Sequence, residues 1–153
     1  MIIALSILAL AIIYLAKILY DRKENKKKEI LDYAIALVEE GIAYSEERNK
    51  YNKTEAAHNA GLALRKQPVE VTKDPIASTR FFNSAMTPQR EICHNNAKDY
   101  IFNSINKIKN EKLRESVRAL FIDTIDDAIK LRIAAAKMGT LDPIKPLLYR
   151  NMP

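Results

Sequence analysis

The sequence predicts an all-α protein: an N-terminal single transmembrane helix, a small helical bundle of about four main helices, and an extended C-terminal tail containing prolines. Three observations carry this. Residues 1–20, MIIALSILALAIIYLAKILY, form an almost unbroken apolar run. Beyond them, apolar residues recur at spacings of three and four, the period of a helix face. Strand signals are missing as well: the chain has three glycines, Gly41, Gly61 and Gly139, with no Asn-Gly or Asp-Gly pair and no convincing alternating stretch.

In the first run, the only polar groups before Lys17 are Ser6 and the hydroxyl of Tyr14. About 20 such residues are what a helix needs to cross roughly 30 Å of hydrocarbon. Lys17 lies close enough to the end to bring its ammonium to the headgroups, and Tyr20 suits the interface. A cleavable signal would place basic residues before a shorter apolar core and a small-x-small site after it. No basic residue precedes this run, and it continues through Ala9-Leu10-Ala11, so a retained anchor is the reading adopted.

Arg22, Lys23, Lys26, Lys27 and Lys28 crowd the C-terminal flank. By the positive-inside rule the N-terminus is exported and the rest of the chain is cytoplasmic, or its equivalent in a virion membrane. The single cysteine, Cys93, excludes a disulfide framework. Part of the net charge of +6 belongs to this basic flank, whose simplest partner is an anionic lipid surface. Beyond Glu29 acids and bases alternate, with no basic patch interleaved with aromatics, so nucleic acid is not an expected partner. The chain thus divides into an anchor (1–20), a basic juxtamembrane segment (21–29), a helical domain (30–139) and a tail (140–153).

Within the domain, Leu31, Ile35, Val38, Ile42 and Ser45 form the stripe of a helix over about residues 26–49. No breaker separates it from Tyr20, so anchor and helix can form one rod. Asn52 and Glu55 have capping-box spacing before a helix over about residues 53–66. Its small face, Ala56, Ala57, Ala60, Gly61 and Leu64, predicts tight packing on a neighbour. Pro68 and Pro75 bound an extended connector over about residues 67–76, and a short helix with Phe81 and Phe82 follows. Thr87-Pro88 reads as a cap and first helical position, opening a helix to about Lys109 with Ile92, Ala97, Ile101, Ile105 and Ile108 on one face. Asn110 separates it from a last helix, about residues 111–138. Leu113, Val117, Leu120, Phe121, Thr124, Ala128 and Leu131 supply that helix's stripe and Gly139 its stop. The tail, with Pro143, Ile144, Pro146, Leu147, Leu148 and Tyr149, is too apolar for a solvated end and is expected to lie extended across a surface, its own or a partner's, with the partner favoured.

Chemistry is sparse. The two histidines both sit in Glu-x-x-His, Glu55 to His58 and Glu91 to His94. Two such motifs with two further carboxylate helices build a di-metal site in a bundle. Here, however, the motif helices are consecutive and both pairs fall in first turns, where acids serve the helix dipole and face water. Asp123, Asp126 and Asp127 read as a solvated face beside Arg118, Lys130 and Arg132. There is no Gly-rich phosphate loop and no Gly-x-Ser-x-Gly elbow. No cofactor, metal or enzymatic role is expected.

What remains is a span joined to a helical body. The expected role is a structural subunit that links a membrane to a larger protein assembly, such as a membrane-containing virus particle or a multi-subunit membrane complex. Its partners would be the bilayer, other subunits and possibly further copies of itself. The alternative is a holin-like lysis protein whose copies cluster and permeabilise the bilayer, with a di-metal carboxylate helical bundle a distant third. The span lacks a polar stripe and Gly-x-x-x-Gly, which favours the first.

Overall fold

The computed structural model describes residues 2–138 and 144–152, with side chains from Leu10 to Ala136 and from Ile144 to Met152. Among the described residues seven helices follow one another: α1 (Ile2–Arg48), α2 (Lys50–Arg65), α3 (Val69–Lys73), α4 (Pro75–Ala85), α5 (Thr87–Asn106), α6 (Glu111–Met138) and α7 (Ile144–Arg150). Among the described residues there is no strand, so the protein is all-α. Among the same residues, no helix is long and apolar enough to cross a membrane.

α1 is a single rod from Ile2 to Arg48, running from the apolar segment into the bundle without a break. Its end is set at Asn49, whose carboxamide turns back and donates to the Ser45 carbonyl at 2.8 Å. The backbone ladder nevertheless continues, with Asn49 N bonded to Ser45 O and Lys53 N to Asn49 O. α2 therefore starts at Lys50, and the expected capping box does not form: Asn52 and Glu55 lie exposed inside the helix.

The core is built by the C-terminal half of α1 with α5, α6 and α7. Leu31, Ala34 and Val38 meet Ala97, Ile101 and Ile105 of α5 and Val117, Phe121 and Ile125 of α6. α1 and α5 run antiparallel and close together. At Gly41 an added Cβ would lie 2.7 Å from Ile101 Cγ1 and 3.0 Å from the Ala97 carbonyl oxygen. One turn further, Ser45 Oγ donates to the Cys93 carbonyl at 2.6 Å, a hydrogen bond only adjacent backbones allow. Two expected core residues are corrected. Ile92 is 48 % exposed, because it precedes Ala97 by five residues and so rotates off the face that Ala97, Ile101 and Ile105 share. Leu131 is also largely exposed, while Leu37, Ile125, Ile129 and Ala135 are core residues outside the expected stripes. α6 packs against α1, α5 and α7 together, so its buried sector is wider than one stripe.

α2, α3 and α4 form a lightly packed arm that contributes nothing to this core. Ala60 is buried and Ala56, Ala57, Gly61 and Leu64 are half-buried, so the small-residue face is real. Its packing is looser than expected, since a Cβ on Gly61 would meet nothing within 4 Å. The connector is not extended: Val69–Lys73 close a short helix whose first bonds, from Val71 N and Thr72 N, are accepted by the Pro68 carbonyl. Asp74 then caps α4, accepting from Ile76 N at 2.8 Å, with Pro75 in the first turn where its missing N–H costs nothing. Thr87 does not cap α5; its hydroxyl donates to the Asn83 carbonyl.

The tail is the largest correction to the expected architecture. Residues 144–150 form α7, and Ile144 and Leu148, four apart, are fully buried against α1 and α6. Pro146 is compatible with a helix because it lies in the first turn. The expected stop at Gly139 falls outside the described residues.

Candidate functional site

The α1 rod changes character along its length. From Leu10 to Tyr20 most apolar side chains are turned to the outside: Leu10, Ile12, Ile13, Tyr14, Leu15, Leu19 and Tyr20 are between 58 and 67 % exposed, and Ile18 is half-buried. None belongs to the core cluster. Such a contiguous apolar surface is the mark of a segment whose native surroundings are lipid or protein rather than water. Lys17, Arg22, Lys23, Lys26 and Lys28 are exposed and Lys27 half-buried, so the predicted basic residues form a collar directly after the apolar stretch. A helix presents them together because residues three and four apart share a face.

The structure treats the predicted docking residues differently. Ile144 and Leu148 are held by the chain's own core, and Leu147 packs partly against it. Pro146 and Tyr149 remain exposed, and Pro143 falls outside the described residues. The segment expected on a partner thus closes the bundle.

The histidine motifs separate. Glu55, His58 and Glu91 are exposed on α2 and α5, and among the described residues no group of three His, Cys, Asp or Glu side chains is gathered to hold a metal ion. His94 instead faces α6, donating from Nε2 to Asp126 Oδ1 at 2.7 Å. Lys98, one turn along α5, places Nζ 3.0 and 2.9 Å from the two oxygens of the same carboxylate. The hydrogen bond from His94, followed by that from Lys98, holds the Asp126 carboxyl below the ordinary carboxylate range. This cluster ties α5 to α6, as Arg132 to Glu39 ties α6 to α1. The sequence reading missed it: His94 and Lys98 have the i,i+4 spacing of one face, but nothing local points that face at Asp126.

Between the arm and the bundle lies an open groove of about 1120 Å³. Ile42, Ala57, Phe82, Met86, Ile133 and Ala134 supply apolar walls, with Cys93 and His94 on the α5 side. The Cys93 thiol accepts from the Gln89 amide at 3.8 Å, and Ser45 Oγ is committed to the Cys93 carbonyl. With His94 Nε2 bonded to Asp126, the hydroxyl, thiol and imidazole are each engaged separately rather than aligned for proton relay.

Compared with protein-family models, curated proteins and solved structures, the chain matches none of them.

Proposed function

We infer that this protein is a non-enzymatic, single-pass membrane-anchored subunit that links a bilayer to a larger protein assembly, its helical body on the cytoplasmic or equivalent side. The main support is the change along α1 from a mostly exposed apolar surface to a half-buried stripe, with a basic collar between. The apolar side chains described from Leu10 to Tyr20 cover about 16 Å of helix, roughly half the hydrocarbon core. The sequence of residues 2–9, IIALSILA, extends the run to about 28 Å, so the span itself is a reading of the sequence. Burying that surface in lipid removes it from water, and the collar then meets anionic headgroups.

The full-length chain reconstituted in lipid vesicles tests this. It is expected to resist alkaline extraction, while a chain lacking residues 2–20 is released. Full-length protein that washes off the vesicles refutes the anchor. The assembly role is read separately, by crosslinking in intact membranes: a defined set of crosslinked subunits supports it, and an exclusively monomeric chain rules it out. Collapse of the membrane potential on expression would point to the lytic alternative.

A further inference from the structure

The end of the bundle nearest the apolar rod carries a second basic surface, separate from the collar on α1. Its position follows from helix direction. Gly41 packs on Ala97 and Ile101, and Ser45 on Cys93, so each step back along α1 toward the rod is a step forward along α5. The pairing brings the α5–α6 turn level with Leu31, and Leu31 and Ile108 share the core cluster. Along α1 that level is 11 residues past Tyr20, about 16 Å.

In this turn and the start of α6, Lys107, Lys109 and Lys112 are exposed, and no carboxylate pairs with them among the described residues. The local acids are engaged elsewhere: Arg114 lies against Glu111 and Glu115, and Arg118 bonds Glu115 at 2.9 Å. The segment is also held in shape. Asn110 Oδ1 accepts from Leu113 N at 3.2 Å to cap α6, and Arg114 donates to the Ile108 carbonyl. The result is a preset cluster of three unneutralised ammonium groups on the side of the body that faces the rod.

We propose that this turn is a second membrane contact, at which Lys107, Lys109 and Lys112 hold the body down on the anionic headgroups of the bilayer in which α1 is anchored. The proposal rests on the anchor reading. With a headgroup layer of about 6 Å, the turn stands roughly 10 Å above the lipid surface, close to one Debye length at physiological salt. An ordinary helix tilt of about 20° toward the body's side brings it nearer. Lipid is favoured over nucleic acid because the patch lies on the rod side of the body and carries no exposed aromatic for base stacking.

The test uses the full-length chain in lipid nanodiscs, either neutral or containing phosphatidylserine. Exposed lysines are acylated with a water-soluble ester and read site by site by mass spectrometry. Lys107, Lys109 and Lys112 are expected to react about threefold or more slowly in anionic discs, an effect that raised salt removes. Lys50 and Lys53, in the first turn of α2 beyond the far end of α1, should react equally in both. Equal rates at the turn in both discs, with the chain resistant to alkaline extraction, overturn the headgroup contact and leave the anchor standing. A chain extracted from both discs refutes the anchor, and the headgroup contact with it. Stronger protection of these lysines by an added oligonucleotide in neutral discs would assign the patch to nucleic acid and overturn the proposal.

Discussion

The two halves of α1 have the same backbone and opposite exposure. From Leu31 to Ser45 the rod buries one face, with Ala34 and Val38 fully inaccessible and Asp32, Tyr33 and Glu40 facing out. From Leu10 to Tyr20 it buries no face, and Ile13 and Tyr14, neighbours on different sides, are equally exposed. A helix of period 3.6 with a narrow apolar sector packs that sector against one neighbour, whereas one apolar on all sides needs apolar surroundings on all sides, whether protein or lipid. The comparison separates what makes a helix from what makes a helix pack.

The sharpest way to break this contrast is to place the same charge in each half. Val38→Asp should unfold the body, at a cost of about 4 kcal/mol or more, because the carboxylate enters a sealed core without a partner. Ile13→Asp should leave denaturation of the body in detergent unchanged within about 0.5 kcal/mol, yet reduce insertion by an amount near 3 kcal/mol. Circular dichroism in detergent and vesicle flotation read the two effects. Equal damage to the body by both substitutions would mean that the halves fold as one unit.

Leu148→Ala should cost about 2–5 kcal/mol, the usual loss for a fully buried leucine, if α7 belongs to the bundle. A loss below about 0.5 kcal/mol would return the segment to the role of an external tail.

The next contrast is between two glycines in helix interiors. Gly41→Ala pushes a methyl group against the Ala97 carbonyl and Ile101, and overpacking should outweigh the better helix propensity by about 1 kcal/mol. Gly61→Ala meets open space and should stabilise by roughly 0.5–1 kcal/mol. Equal signs in denaturant titrations would show that α1 and α5 are not in close contact.

The smallest effect belongs to Asp126. Its carboxyl titrates lower in the folded state, so its contribution is present above the ordinary carboxylate value near pH 4 and is lost as pH falls through the lowered folded value. The carboxylate is half exposed, and screening limits Asp126→Asn to less than about 1 kcal/mol at neutral pH. In denaturation, that difference should fade toward zero as pH falls through the lowered folded value; a pH-independent difference would mean that the loss is steric.

Much of the fold was legible because helices are local. The stripes Leu31–Val38, Ala97–Ile105 and Val117–Ala128 are written in spacing alone, and so is Asn110 as the break between α5 and α6. Helix ends were less legible, since Asn49 and Thr87 spend their side chains on the preceding turn rather than the following one. Of the candidate site, the exposed rod and its collar were legible from the apolar run and the charges after it. The groove and the Asp126 cluster were not, because each joins residues on different helices; the lysines of the α5–α6 turn are local in sequence, but only the pairing of α1 with α5 places them on the rod side.

By itself, the sequence determined the helical class, the limits of the apolar run and the balance of charge behind it, all of which depend on neighbours within about two turns. Only the tertiary structure decided the fate of the last residues. Seven residues containing a proline cannot sustain a helix alone, because the cost of nucleation exceeds what so few bonds return. α7 exists because α1 and α6 offer Ile144 and Leu148 a place out of water.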